Sequence, residues 1–144
     1  MSVLWDSFTQ HNTIEQVLSD KGLAKTGDAI VNLCYSLAKS LVLGVATGVK
    51  VRDDVLAKAI RASSLSDYIT RRTDRGAAAD SYEALVAYMW MSGKLTIEDV
   101  VEFLVPLLPI DNKTSRKHEV EIATEAFRLL LEDISSSLEF PGEE

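Results

Sequence analysis

The apolar residues of this 144-residue chain return at intervals of three and four almost from end to end, and no stretch of four to eight residues alternates cleanly between apolar and polar. Such a chain can bury its apolar surface only by packing helix against helix, so the fold class expected is all-α. A first helix is expected over residues 12–22, with Asn12 or Thr13 as its cap. The next, over 23–43, has apolar residues on more than one stripe and reads as the central helix, ended by Gly44 and Gly48. A shorter helix follows over 53–62, with Asp53 and Asp54 in its first turn, and Ser64 or Ser66 opens a further turn through Tyr68 and Ile69. Residues 71–76 have no apolar side chain and end in Gly, which marks a loop. Helices are then expected over 77–91, from Thr96 to the region of Pro106 and Pro109, and over 115–138, with a frayed tail at 139–144.

A chain of this length makes one domain, here residues 1–144, with a core large enough to need no staples. The lone Cys34 excludes an internal disulfide framework and a cysteine-based zinc cage, and on an apolar helix without an accompanying His it reads as a core residue. The first ten residues have no basic or apolar run of the kind that marks a signal peptide, and residues 29–49 are interrupted by Asn32, Lys39, Gly44 and Gly48, so a cytoplasmic protein without a membrane span is expected. The net charge of −7 at first argues against a nucleic-acid partner. Its distribution removes the objection. Residues 1–118 carry 14 basic and 14 acidic side chains, residues 119–144 carry one Arg and eight acids, and residues 50–75 carry seven bases against four acids. Basic surface is therefore available to an anionic partner, with the acidic surplus confined to the last helix and tail.

Two segments carry chemistry. LAKTGDAI, residues 23–30, sets Gly27 and Asp28 near the start of the most apolar helix, where a carboxylate must be paired, hydrogen-bonded or bound to a cation. Asp28 is alternatively a simple cap or ion-pair partner. ADSYEALVAYMW, residues 79–90, sets Asp80 and Glu83 three apart, on one helix face. Three carboxylates from two helices suit Mg²⁺ or Mn²⁺, hard cations that prefer oxygen ligands. A metal held this way generates hydroxide at neutral pH and stabilises the charge that develops on a phosphodiester. His11 and His118 lie far from both segments and read as surface residues. Tyr82, Tyr88 and Trp90 read as core or subunit contacts.

Gly27-Asp28-Ala29 near the start of one helix, a basic stretch, then Asp80, Glu83 and Ala84 near the start of another resemble the nuclease domain of the ribonuclease III family over about residues 12–105. The family pattern is a Glu-x-x-x-Asp signature ending in Gly-Asp, followed by an Asp-x-x-Glu-Ala helix. Here Ala24 stands where the family has its first Glu, and Lys25-Thr26 replaces the usual aromatic-aliphatic pair. The chain is similar to minimal members without a separate double-stranded-RNA-binding domain. It implies a metal-dependent endoribonuclease for double-stranded or structured RNA, acting as a homodimer, with Asp28, Asp80 and Glu83 as catalytic metal ligands. Arg71, Arg72 and Arg75 are then candidates for phosphate contacts, followed by Lys25, Lys50 and Arg52. The loss of the Glu at position 24 and the acidic C-terminal helix support an alternative, a non-catalytic helical dimer that binds RNA or a protein.

Overall fold

The computed structural model describes residues 4–69 and 74–140. Among these residues there are six α-helices and no strand: α1 Ile14–Leu18, α2 Lys21–Leu43, α3 Asp53–Arg61, α4 Arg75–Met91, α5 Ile97–Leu104 and α6 Arg116–Ser135. The all-α expectation is met. Short polar side chains fix most of the starting points by accepting hydrogen bonds from otherwise unpaired backbone N–H groups. Thr13, Asp20, Asp74, Thr96 and Ser115 cap α1, α2, α4, α5 and α6, and Thr96 forms a reciprocal capping box with Asp99.

Three boundaries differ from expectation, the first two because of these caps. The first helix does not run to residue 22, because Asp20 accepts from the Leu23 N–H at 3.0 Å and starts a new helix. Residues 75 and 76 do not belong to the loop expected over 71–76: Asp74 accepts from the Ala77 N–H at 2.7 Å, which places Arg75 and Gly76 in the first turn of α4, and residues 71–73 lie outside the described residues. At the C-terminal end, Phe140 does not fray. It is buried and stacks on Tyr88 at 5.6 Å between ring centroids.

The central helix is α4, not the long α2. Twelve of its 17 residues are buried, and it packs against α1, α2 and α3. Four of its five alanines, Ala78, Ala79, Ala84 and Ala87, are essentially inaccessible and let neighbouring helices approach closely. Tyr82 is also fully buried and donates to the Phe127 carbonyl at 2.6 Å, tying α4 to α6. By contrast α2 leaves Leu33, Leu37 and Leu41 on a solvent-facing stripe. A helix apolar on all sides belongs in the middle of a bundle, whereas one with a polar row and an open apolar stripe does not. Among the described residues no helix is long and apolar enough to cross a membrane.

His11 corrects another expectation. Its side chain is 11% exposed, its Nε2 lies 2.9 Å from Asp20 Oδ2, and its ring meets Tyr88 edge-on at 5.5 Å. It is an interior residue that braces the start of α2. His118 is exposed and Cys34 buried, as the sequence suggests.

Candidate active site

Where α2 crosses α4, Gly27 lies directly on the backbone of Glu83. A Cβ at position 27 would collide with the Glu83 carbonyl, so only glycine permits this approach. The close crossing has a direct consequence for the next residue along. It sets the Asp28 carboxylate beside the Glu83 side chain, and the two carboxyl groups share a hydrogen bond.

Glu83 is 4% exposed. Burial, the hydrogen bond with Asp28, and the negative charges of Asp28, Asp53 and Asp80 push its carboxyl up to about 8, so it holds a proton at neutral pH. Asp28 is displaced the other way. It accepts from Glu83 and from the Lys50 ammonium at 3.0 Å, and these hold it below the usual carboxylate range against the opposing effect of burial. One buried carboxylic acid and one ionised carboxylate therefore lie side by side, a division that follows whenever two acids share a small space.

Lys50 reaches this position because the segment after α2 is fastened along the helix. Thr47 N donates to Ser40 Oγ at 2.9 Å, Val49 N to Ser36 Oγ at 2.9 Å, and Val51 N to Asn32 Oδ1 at 2.7 Å. Asn32 also donates to Asp28 Oδ1 at 3.4 Å. Asp28, Asn32, Ser36 and Ser40 are spaced by four, and they form one polar row down α2. The returning chain lies along that row like a strand against an edge, with Lys50 delivered to its end.

The other predicted residues take different positions. Asp80 lies within electrostatic reach of Glu83, but its carboxylate pairs with Lys21 at 3.2 Å on the exposed side of the crossing. Among the described residues no group of three His, Cys, Asp or Glu side chains converges so as to hold a metal ion. The structure thus brings together Asp28 and Glu83 and holds Asp80 to one side. Ala24, one turn before Asp28, is a core residue at 4% exposure. Arg75 is exposed in the first turn of α4, two turns before Glu83, or roughly 12 Å along the axis. Lys25 is exposed on α2, and Arg52 forks onto Asp54 through two bonds of 3.0 Å. Arg71 and Arg72 lie outside the described residues.

A model of the family described as Ribonuclease III matches residues 21–140. The chain belongs to the ribonuclease III family. No curated protein matches it significantly. Membership identifies the α2–α4 crossing as part of an RNA-cleaving type of nuclease domain, and the match runs well past the resembling region at about 12–105, through α6. Within this ribonuclease III domain the motif reading missed Lys21, Asn32 and Asp53. Asn32 carried a signal, since it lies one turn after Asp28 at the head of the four-residue polar spacing. Lys21 and Asp53 carried none, because their roles depend on which helices meet.

Proposed function

We propose that this ribonuclease III domain is a metal-dependent endoribonuclease for double-stranded or structured RNA, active as a cytoplasmic homodimer. The observation that carries this reading is the Asp28–Glu83 carboxyl pair, drawn together by the glycine-only crossing in a chain matched to the family. Its donor set is oxygen alone, which fits Mg²⁺ or Mn²⁺. Asp28 and Glu83 would hold the ion, with Asp80 joining once released from Lys21. A bound ion of this kind supplies hydroxide at neutral pH and offsets charge on the phosphodiester. Glu83 must first give up the proton it holds to about pH 8. Lys50 is exposed on a flexible stem, so when Asp28 is neutralised its ammonium is free to turn to an RNA phosphate. Arg75 and Lys25 add exposed cations near the starts of α4 and α2, and Arg71, Arg72 and Arg52 complete the phosphate-contacting set.

The test is cleavage of an RNA duplex by the purified protein with Mg²⁺ or Mn²⁺, together with its mass in solution. Metal-dependent scission lost in Asp28→Asn and Glu83→Gln supports the reading, and scission that survives both changes excludes the site. The second reading, a non-catalytic RNA- or protein-binding dimer, is favoured by a specific observation: ammonium groups already occupy Asp28 and Asp80. It predicts binding indifferent to divalent ions and no cleavage under any metal.

A further inference from the structure

Lys50, which reaches Asp28 with its ammonium, also lines a cleft of about 380 Å³ between α2, the segment 49–52 and the start of α6. Its size is that of a small-ligand site. Val49, Val51, Val55, Val120 and Ala123 give it an apolar lining, while Lys39, Lys50, Arg52 and Arg116 contribute four cations. The one carboxylate in its wall, Glu119, is already satisfied: it accepts from Tyr35 Oη at 2.7 Å and from Lys39 Nζ at 2.9 Å. It therefore offers little repulsion to an anion. Lys50 and Arg52 are held by Asp28 and Asp54, whereas Arg116 has no direct ion-pair contact among the described residues and acts on Glu119 only through its field. Arg116 is also the first residue of the 20-residue helix α6, where unpaired backbone N–H groups favour negative charge. Apolar wall and uncontacted guanidinium meet different needs of one ligand, the wall suited to a ring and the cation to a phosphate.

We infer that this cleft takes a single unpaired nucleotide, its base against the valines and its phosphate on Arg116 beside Lys50. The choice of a nucleotide over other apolar anions rests on the ribonuclease reading above. Through Lys50 the cleft adjoins the Asp28–Glu83 pair, so an RNA with a bulged or overhanging nucleotide is fixed in register against the carboxylates, and fully paired RNA is not. The same chemistry would accept a free mononucleotide.

The test is equilibrium binding by the full chain in EDTA, which separates it from cleavage. The probes are an RNA hairpin with a one-nucleotide bulge, the same hairpin fully paired, a nucleoside 5′-monophosphate and inorganic phosphate. The bulged hairpin is expected to bind about tenfold more tightly than the paired one, a difference of one well-made charged contact. Val120→Trp, which fills the cleft, and Arg116→Glu, on an exposed first-turn residue, should each erase the preference. Mononucleotide binding that displaces only the bulged hairpin, and is lost in the same variants, assigns the cleft to free nucleotide as well. Equal binding of the two hairpins without mononucleotide binding overturns the inference, as does phosphate binding as tightly as the nucleotide. If Val120→Trp fails to fold, Arg116→Glu decides. A protein that selects the bulge yet never cuts RNA removes the nuclease reading and leaves the cleft standing; one that cuts but does not select does the reverse.

Discussion

Glu83 and Glu119 are both drawn from solvent against α2, one by α4 and the other by α6, yet their surroundings are opposite. Glu119 meets Lys39 and the Tyr35 hydroxyl; burial works against its charge, but these partners outweigh burial and hold the carboxyl below its usual range. Glu83 meets acids. Burial comes first, then Asp28, Asp53 and Asp80, and together they keep it protonated to about 8. A packing role is best served by the first arrangement, since every donor and acceptor is matched. The second makes sense where a proton must leave and something positive must arrive. Perturbation by like charges in a half-open site marks function more often than perturbation by a ready-made partner.

The largest test of this contrast is catalytic. Glu83→Gln keeps the shape and hydrogen-bonding capacity of the protonated acid but cannot become anionic, so RNA cleavage with Mg²⁺ should fall by at least about a hundredfold in kcat/KM. Glu119→Gln should leave cleavage of fully paired RNA, which does not use the cleft, within about twofold, since Glu119 faces Lys39 and Tyr35. Comparable losses in both variants would dissolve the distinction. Next in size is the crossing itself. Gly27→Ala forces a methyl into the Glu83 backbone and should lower unfolding stability by about 3 kcal/mol, read by urea denaturation. A change below about 0.5 kcal/mol would mean that α2 and α4 do not need this close approach to pair.

How much of this was written in the sequence depends on what kind of interaction set it. Helical spacing announced the class, and Thr13 and Thr96 announced the starts of their helices, because those signals act within one turn. The Gly27-Asp28 and Asp80-Glu83 motifs located the crossing. What they left open was which carboxylate faces which cation. Lys50 lies 22 residues from Asp28, Lys21 is 59 from Asp80, and Lys39 is 80 from Glu119, so each pairing depends on tertiary packing that no local pattern encodes. The misplaced centre of the bundle has a similar cause. Both α2 and α4 are rich in apolar residues, but most alanines of α4 are small enough to be enclosed, while the four-residue polar row of α2 binds the returning segment and the leucines of the adjoining stripe stay uncovered.

The two glutamates should also respond oppositely to pH and substitution in stability. Folded Glu83 titrates near 8 against 4.5 for an unperturbed Glu, so between those values the folded chain holds a proton that the unfolded chain has lost. Its contribution is therefore fully present below about 4.5, declines as pH rises, and levels off above about 8. Asp28, held low, contributes in the reverse sense, and its part is lost only as pH falls through its lowered value, so it does not cancel the decline. Metal-free wild type should lose on the order of 2 kcal/mol more than Glu83→Gln between pH 5.5 and pH 8.5. Glu119→Gln should instead be destabilised at both pH values by about 2 kcal/mol, because it leaves the largely buried Lys39 without its counter-charge. Denaturant curves at the two pH values give both slopes, and parallel behaviour of the two variants would show that the carboxylates are not differently placed.

The smallest effect on stability bears most directly on how Asp80 relates to the site. Lys21 and Asp80 are 63% and 42% exposed as side chains, so their 3.2 Å contact is screened by water and Lys21→Met should change stability by less than about 0.5 kcal/mol. Its effect on ion binding should nonetheless be measurable. With the ammonium gone, Asp80 is released beside Glu83, and the negative potential at the crossing deepens. Mg²⁺ titrated calorimetrically into Lys21→Met should then bind about threefold to tenfold more tightly than into wild type, the scale expected for a residue that orients a ligand without being one. The gain should shrink as salt is raised, because Lys21 is exposed. An unchanged Mg²⁺ affinity would confine the metal-binding role to Asp28 and Glu83 and leave Asp80 as the partner of Lys21, matched by a cation as Glu119 is but in the open, where the pairing contributes little to the fold.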